Sequence, residues 1–298
     1  MKRLIYSLLL LLCLGACRGH REVKLPAHRF ALPTPPATMS REAQIDYLAT
    51  HYWDHFDFAD TVALVEADTA KMMERYTQFV ALLTREKDHI APMKALMERA
   101  SASRTALDYF AFLAEQVLHD PNSPLRSSEL YIPVLEAQLK APYYDTYERI
   151  VPEHDLHEAM QNRPGERAND FAFLTREGKR LSLYDLEAEH TLILFSNPEC
   201  AMCRMLKDLI LHSAPIVERI TEGRLKMLVL YPDEDLKAWE RGDKAPAGWI
   251  DARDEHGTIR REGLYDLRAI PSIYLLDRDK RILVKDSTDP REVEQALL

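Results

Sequence analysis

Residues 195–204 read "FSNPECAMCR", with Cys200 and Cys203 separated by Ala201 and Met202. The residues just before, "TLILFS" at 191–196, are short, apolar and β-branched, which predicts a strand. Beyond them, Met202, Leu206, Leu209 and Ile210 share one helical face, predicting a helix from about Cys200 to Thr221 that stops at Gly223. A cysteine at that junction lies beside unpaired backbone N–H groups and the positive end of a helix dipole, which favour thiolate over thiol. Cys203, one turn deeper, is within reach of the first sulfur and more buried. The pair therefore fits an attacking and a resolving thiol. A zinc site would need further ligands, and no second CxxC follows; His212 stands at an unsuitable spacing. A structural staple between these two positions would close too short a loop to stabilise much.

Whether such a pair meets oxidants depends on where the chain resides. It opens "MKRLIYSLLLLLCLGAC", a basic head, an apolar run from Leu4 to Leu14 and small residues at Gly15 and Ala16, as in a secretion signal. At about 1.5 Å per residue the run covers roughly half of a ~30 Å hydrocarbon core, too little to span it. Leu14-Gly15-Ala16-Cys17 resembles the bacterial lipobox, which implies acylation of Cys17 and a lipid anchor. Residues 1–16 are thus expected to form a lipoprotein signal peptide, and 17–39, with four prolines and no periodicity, an extended tether. Of four cysteines, Cys13 would leave with the leader and Cys17 would carry lipid, so Cys200 and Cys203 form the one remaining pair. Loss of Lys2 and Arg3 takes the formal charge from −9 to −11, which argues against nucleic acid and anionic lipid as electrostatic partners.

At Ser40 the texture changes. Ile45, Leu48, Ala49, Tyr52, Trp53 and Phe56 form an apolar helix face, and helical patterns follow over 68–83, 89–100, 103–118 and 128–139. Residues 40–160 are expected to be an all-helical domain, and "QNRPGER" at 161–167 a boundary. From 165 to 298 the pattern is mixed: "DFAFL" and "KRLSLYDL" flank Gly178 like a hairpin, "LKMLVLY", "PSIYLL" and "RILVK" read as strands, and "PREVEQALL" as a closing helix. The fold class expected is α+β in two domains, all-α and then an α/β sandwich.

The segments "NDFAFLTREGKRLSLYDL", "LILFSNPECAMCRMLKDLI" and "LRAIPSIYLLDRDKRIL" resemble, in order, the opening hairpin, active-site strand and helix, and cis-proline segment of thioredoxin-like proteins. The type is that of membrane-tethered bacterial thiol-disulfide oxidoreductases, and "HYWDHFDFAD" ahead of them resembles Bacteroidetes lipoproteins that join a domain of unknown function to such a fold. The resemblance implies a thioredoxin fold, Cys200 as nucleophile, Cys203 as resolving thiol, and Pro271 as a cis proline presenting the Ile270 backbone to an extended substrate. It implies no cofactor beyond a redox-active Cys200–Cys203 disulfide, and no metal. Partners implied are exported protein thiols or disulfides and a membrane thiol donor, in the cell envelope, facing the periplasm or the cell surface. Reduction or isomerisation is expected over oxidation; the alternative is a binding lipoprotein that uses the fold as a scaffold.

Several positions depart from the family's pattern. Glu199 stands where an aromatic usually precedes the first cysteine, Leu194 where many thioredoxins bury a carboxylate, and Asp208 where a proline kinks the helix. Glu199 and Arg204 are therefore candidate modulators of the cysteine charge, with Lys207 able to offset Glu199. Elsewhere, His51 with His55 and His154 with His157 sit at helical spacings but lack the HExxH pattern and a third ligand, so capping or part-buried roles are expected. "YWDHFDF" reads as core packing, with a ligand groove as the alternative. Glu234, Asp235, Asp251 and Asp254 read as a solvated acidic rim.

Overall fold

The apolar spacing that starts at Ser40 produces a run of helices whose ends are set by short polar side chains. The structure, a computed structural model, describes residues 29–84 and 90–298; the leader, Cys17 and residues 18–28 lie outside the described residues. Helix α1, Arg41–His51, begins where the Ser40 side chain accepts from the Ala43 N–H. It stops short of Phe56, and turns then fold Tyr52, Trp53, Phe56 and Phe58 inward. Asp60 caps α2 (Thr61–Val65) and Asp68 caps α3 (Thr69–Leu83), each carboxylate satisfying a backbone donor that the first turn leaves unpaired. Helices α4 (Ile90–Ala100), α5 (Arg104–Ala114), α6 (Ser128–Lys140) and α7 (Thr146–Ala159) complete this half, with a π-helical turn at Glu115–His119. Helix α7 opens on a capping box between Asp145 and Glu148.

The helices enclose one apolar core. Its centre is aromatic: Trp53 meets Phe110 edge-on at 5.1 Å, and Phe30 stacks on Trp53 at 5.0 Å. Within the proline-rich segment expected as an extended tether, Phe30 is buried against the helical core, because a Phe side chain gains more by covering Trp53 than by facing water.

The second half is a seven-stranded sheet with strands in the order β2-β1-β5-β4-β3-β6-β7. These are β1 (Ala172–Thr175), β2 (Arg180–Ser182), β3 (His190–Phe195), β4 (Leu225–Tyr231), β5 (Ile250–Arg253), β6 (Ser272–Leu276) and β7 (Ile282–Ser287). Strands β3, β4 and β5 run parallel, and β6 pairs antiparallel with β3, facing Leu194 with Ile273 and Phe195 with Ser272. Side chains alternate across a strand, so Ile193 and Phe195 pack into one core while Leu192 and Leu194 pack into another on the opposite face. That is why "LILF" is apolar throughout. The expected 200–221 helix is two helices, α8 (Ala201–His212) and α9 (Ala214–Thr221), the second placing Pro215 in its first turn, where the missing N–H leaves no intrahelical bond unmade. Helices α10 (Leu236–Arg241), α11 (Thr258–Arg261) and α12 (Pro290–Ala296) complete the chain. The molecule is α+β, an all-helical half followed by an α/β half. Among the described residues no helix is long and apolar enough to cross a membrane.

Candidate active site: a cysteine pair beside a cis proline

Strand β3 ends at Phe195, and Asn197-Pro198-Glu199 turn the chain into α8 with Cys200 as its N-cap. Cys200 keeps extended dihedrals (φ −84°, ψ 116°), so its sulfur swings back over the first turn and accepts from the Cys203 N–H at 3.1 Å. Cys200 is partly exposed and Cys203 fully buried, both as free thiols. Burial, and then the hydrogen bond with Cys200, push the Cys203 thiol up to about 12. Of the two sulfurs only Cys200 can meet an incoming molecule.

The loop before β6 closes the other side. The Ile270–Pro271 peptide bond is cis, and the Ile270 carbonyl oxygen stands 3.7 Å from Cys200 Sγ. A cis proline there presents no N–H to the sulfurs, leaving the preceding carbonyl as the polar group facing Cys200. Seventy residues apart in sequence, the cysteines and this loop meet because β3 and β6 are neighbours in the sheet.

Charge surrounds the pair unevenly. Glu199 is exposed, its N–H donating to Asn197 Oδ1 at 2.9 Å, and Arg204 donates to the Pro198 carbonyl at 3.1 Å, fastening the turn that carries Cys200. Lys207 is half-buried; burial lowers its pKa, against the pull of Cys203 and Asp251. It shares a cavity of about 20 Å³ with Ser196, Trp239 and Asp251, no larger than a water molecule needs. Asp251 is not solvated as the sequence suggested: Arg176 Nε donates to it at 2.7 Å, Trp239 Nε1 at 3.2 Å and the Ala245 N–H at 3.0 Å. Asp254, also expected in solvent, is buried and accepts from the His256 and Ile259 N–H groups. Both sit where loops must satisfy backbone donors, which a charge count along the chain does not reveal.

A feature missed in the sequence is the carboxylate behind the cis proline. Ser272 Oγ donates to Asp286 Oδ1 at 2.7 Å, and Arg126, from the helical half, donates to the same oxygen at 2.9 Å. The other candidates do not converge on the cysteines. His51 pairs with Asp54 at 2.7 Å and His55 is exposed, while Tyr52, Trp53, Phe56 and Phe58 fill the helical core. His154, Asp155 and Glu158 bring ligand atoms within 4.8 Å of one another, but Asp155 also stands 3.5 Å from His119 and Glu158 3.9 Å from Arg268. A concavity of about 830 Å³ lies at the far end of β3 among Arg167, Glu189, Arg224 and Arg278 and does not include the sulfurs.

Known proteins are similar to this chain. The family described as a domain of unknown function, DUF5106, matches residues 18–162. A thioredoxin-like protein from Bacteroides caccae is 32% identical, with a TM-score of 0.84 over 90% of this chain and 98% of that one. The C-terminal domain of an uncharacterized protein from Bacteroides fragilis is 36% identical over 46% of this chain and 97% of its own (TM-score 0.43). The thioredoxin domain of a thiol-disulfide oxidoreductase from Bacteroides vulgatus is 16% identical over 46% of this chain and 99% of its own (TM-score 0.38). No curated protein matches the chain. Since the Bacteroides caccae protein is similar across nearly its whole length, the chain belongs to the same family of thioredoxin-like proteins, with a helical DUF5106 domain ahead of the thioredoxin fold.

Proposed function

We propose that this protein is a thiol-disulfide oxidoreductase of the cell envelope, held to a membrane by lipid on Cys17 and exchanging disulfides with exported proteins. The observation that carries the reading is the asymmetry of the pair: a reachable sulfur on a helix N-cap, its buried mate one turn below, and the Ile270 carbonyl alongside. In the reducing direction the Cys200 thiolate attacks a client disulfide; a Cys200–client S–S bond forms and the other client sulfur leaves as a thiolate that takes up a proton. Cys203 then gives up its proton and attacks Cys200, releasing the second client sulfur as a thiol and leaving the Cys200–Cys203 disulfide. Two electrons from a membrane thiol donor restore the dithiol. The Cys203 thiol, held near 12 in the free protein, makes resolution the step that needs help, and the positive Lys207 lowers the cost of a thiolate there. Run without net transfer, the same steps isomerise a client.

Insulin reduction measured against a Cys200→Ser variant tests this. Turnover should fall to background in the variant, a loss of about a hundredfold or more, since among the described residues the one other thiol, Cys203, is buried. Cys203→Ala should accumulate the mixed disulfide. Absence of cysteine-dependent turnover in the wild type would leave the fold as a scaffold for binding.

A further inference from the structure

Along the Ile270–Pro271 loop runs a groove of about 480 Å³ that belongs to both halves of the chain. One wall is the outer face of α8, where Met202, Met205 and Leu209 remain 55%, 48% and 49% exposed. Its floor includes Ile270 and Pro271, and its opposite wall is the loop Pro121–Pro124 of the helical domain. That loop is fastened in place. Asn122 N–H donates to Asp120 Oδ1 at 2.8 Å, Ser123 Oγ donates to the Val117 carbonyl at 2.5 Å, and Arg126 bridges the Pro121 carbonyl (3.1 Å) to the Asp286 carbonyl of β7 (3.0 Å).

We infer that the helical domain supplies one wall of the client cleft, and that the occupant is an extended polypeptide segment with apolar side chains beside its cysteine. The inference rests on the exchange reading above and adds to it the kind of client and the part the helical domain plays. Continuity argues the occupant: Ile270 and Pro271 line the groove, and the Ile270 carbonyl stands 3.7 Å from Cys200 Sγ, so a chain lying in the groove is positioned to bring a sulfur to that end. Its charges are largely spent inside the protein, Arg126 on Asp286 and Lys285 on the Ala159 carbonyl at 2.7 Å, which leaves the apolar side chains to select. Two methionines on one wall adapt to many shapes, so the cleft discriminates by hydrophobicity and extension more than by sequence.

The test separates recognition from chemistry. A fluorescein-labelled decapeptide with serine in place of cysteine, flanked by Leu and Phe, is titrated by anisotropy against the full chain, an Asn122→Glu/Pro124→Glu double variant and Met205→Glu. All three positions are exposed, so the fold tolerates the changes. Both variants should bind about tenfold more weakly than wild type, and a Gly/Ser-flanked peptide should bind the wild type about tenfold more weakly than the Leu/Phe peptide. Binding by the loop variant at wild-type strength removes the helical domain from the cleft. Failure of wild type to bind, or self-association through the groove in its place, overturns the inference altogether. Insulin reduction on the same preparations reports separately on the exchange chemistry: binding without turnover keeps the cleft and discards the oxidoreductase, while turnover without peptide discrimination does the reverse.

Discussion

Asp286 has almost no access to water, and its neighbours decide its charge. Burial raises its carboxyl to about 6, opposed by Arg126, whose side chain is equally enclosed. Between 3.8, the value of the unfolded chain, and about 6 the folded protein holds a proton that the unfolded chain has released. Stability from this group is therefore present at low pH and is lost as pH rises through that window. An Asp286→Asn variant should remove the effect: relative to it, wild type should lose of order 2–3 kcal/mol between pH 4 and 7, read by urea denaturation. Parallel pH profiles would sink the assignment. This residue also marks where sequence reading ran out. Cys200, Cys203 and the Ile270-Pro271 step stand out because their chemistry is written in two or three adjacent letters. Asp286 means little until Arg126, 160 residues away, is placed beside it, and Asp251 and Asp254 pass for surface acids until loops close over them.

Among the elements, the short α10 is tied directly to the turn that bears Cys200. Gly242, its C-cap, has ordinary dihedrals (φ −69°), yet a Cβ there would lie 2.4 Å from the Pro198 Cβ. Proximity, not backbone freedom, demands glycine. Gly242→Ala should cost about 1–3 kcal/mol in thermal unfolding and should slow insulin reduction at temperatures where the variant remains folded, because Pro198 moves with the Cys200 turn. An unchanged melting temperature would show that α10 yields freely. Elements with a strong apolar stripe, such as α3 and α8, were legible in the sequence. Helix α7 was not, since Tyr147, Ile150 and Val151 lie on its exposed side and blur the periodicity. Nor was β5, whose four residues "IDAR" carry little strand signal and gain their place from pairing with β4.

Across the whole molecule the two halves meet through polar contacts that a one-dimensional reading cannot see. Arg126 pairs with Asp286, Arg268 with His119, and Lys285 Nζ donates to the Ala159 carbonyl. Arg163, in the linker, forms a bidentate pair with Glu129. Arg126→Ala would leave Asp286 buried without its cation, at a cost of about 3–5 kcal/mol. Scanning calorimetry should then show the single transition of the wild type separating into two. One unchanged transition would mean that the halves are coupled elsewhere.

The linker has a second consequence. Gly165 N–H donates to the Ile282 carbonyl, Ile282 N–H to the Glu166 carbonyl and Ala168 N–H to the Lys280 carbonyl, so the segment lies along the rim of β7 like a ragged extra strand. At the opposite rim β2 is only three residues long. Open rims invite stray chains to zip on and grow into fibres. On the function proposed above the protein would meet that hazard at every encounter with an unfolded, sulfur-bearing chain, and hemming its own sheet would let it grip such chains without being drawn into their aggregates.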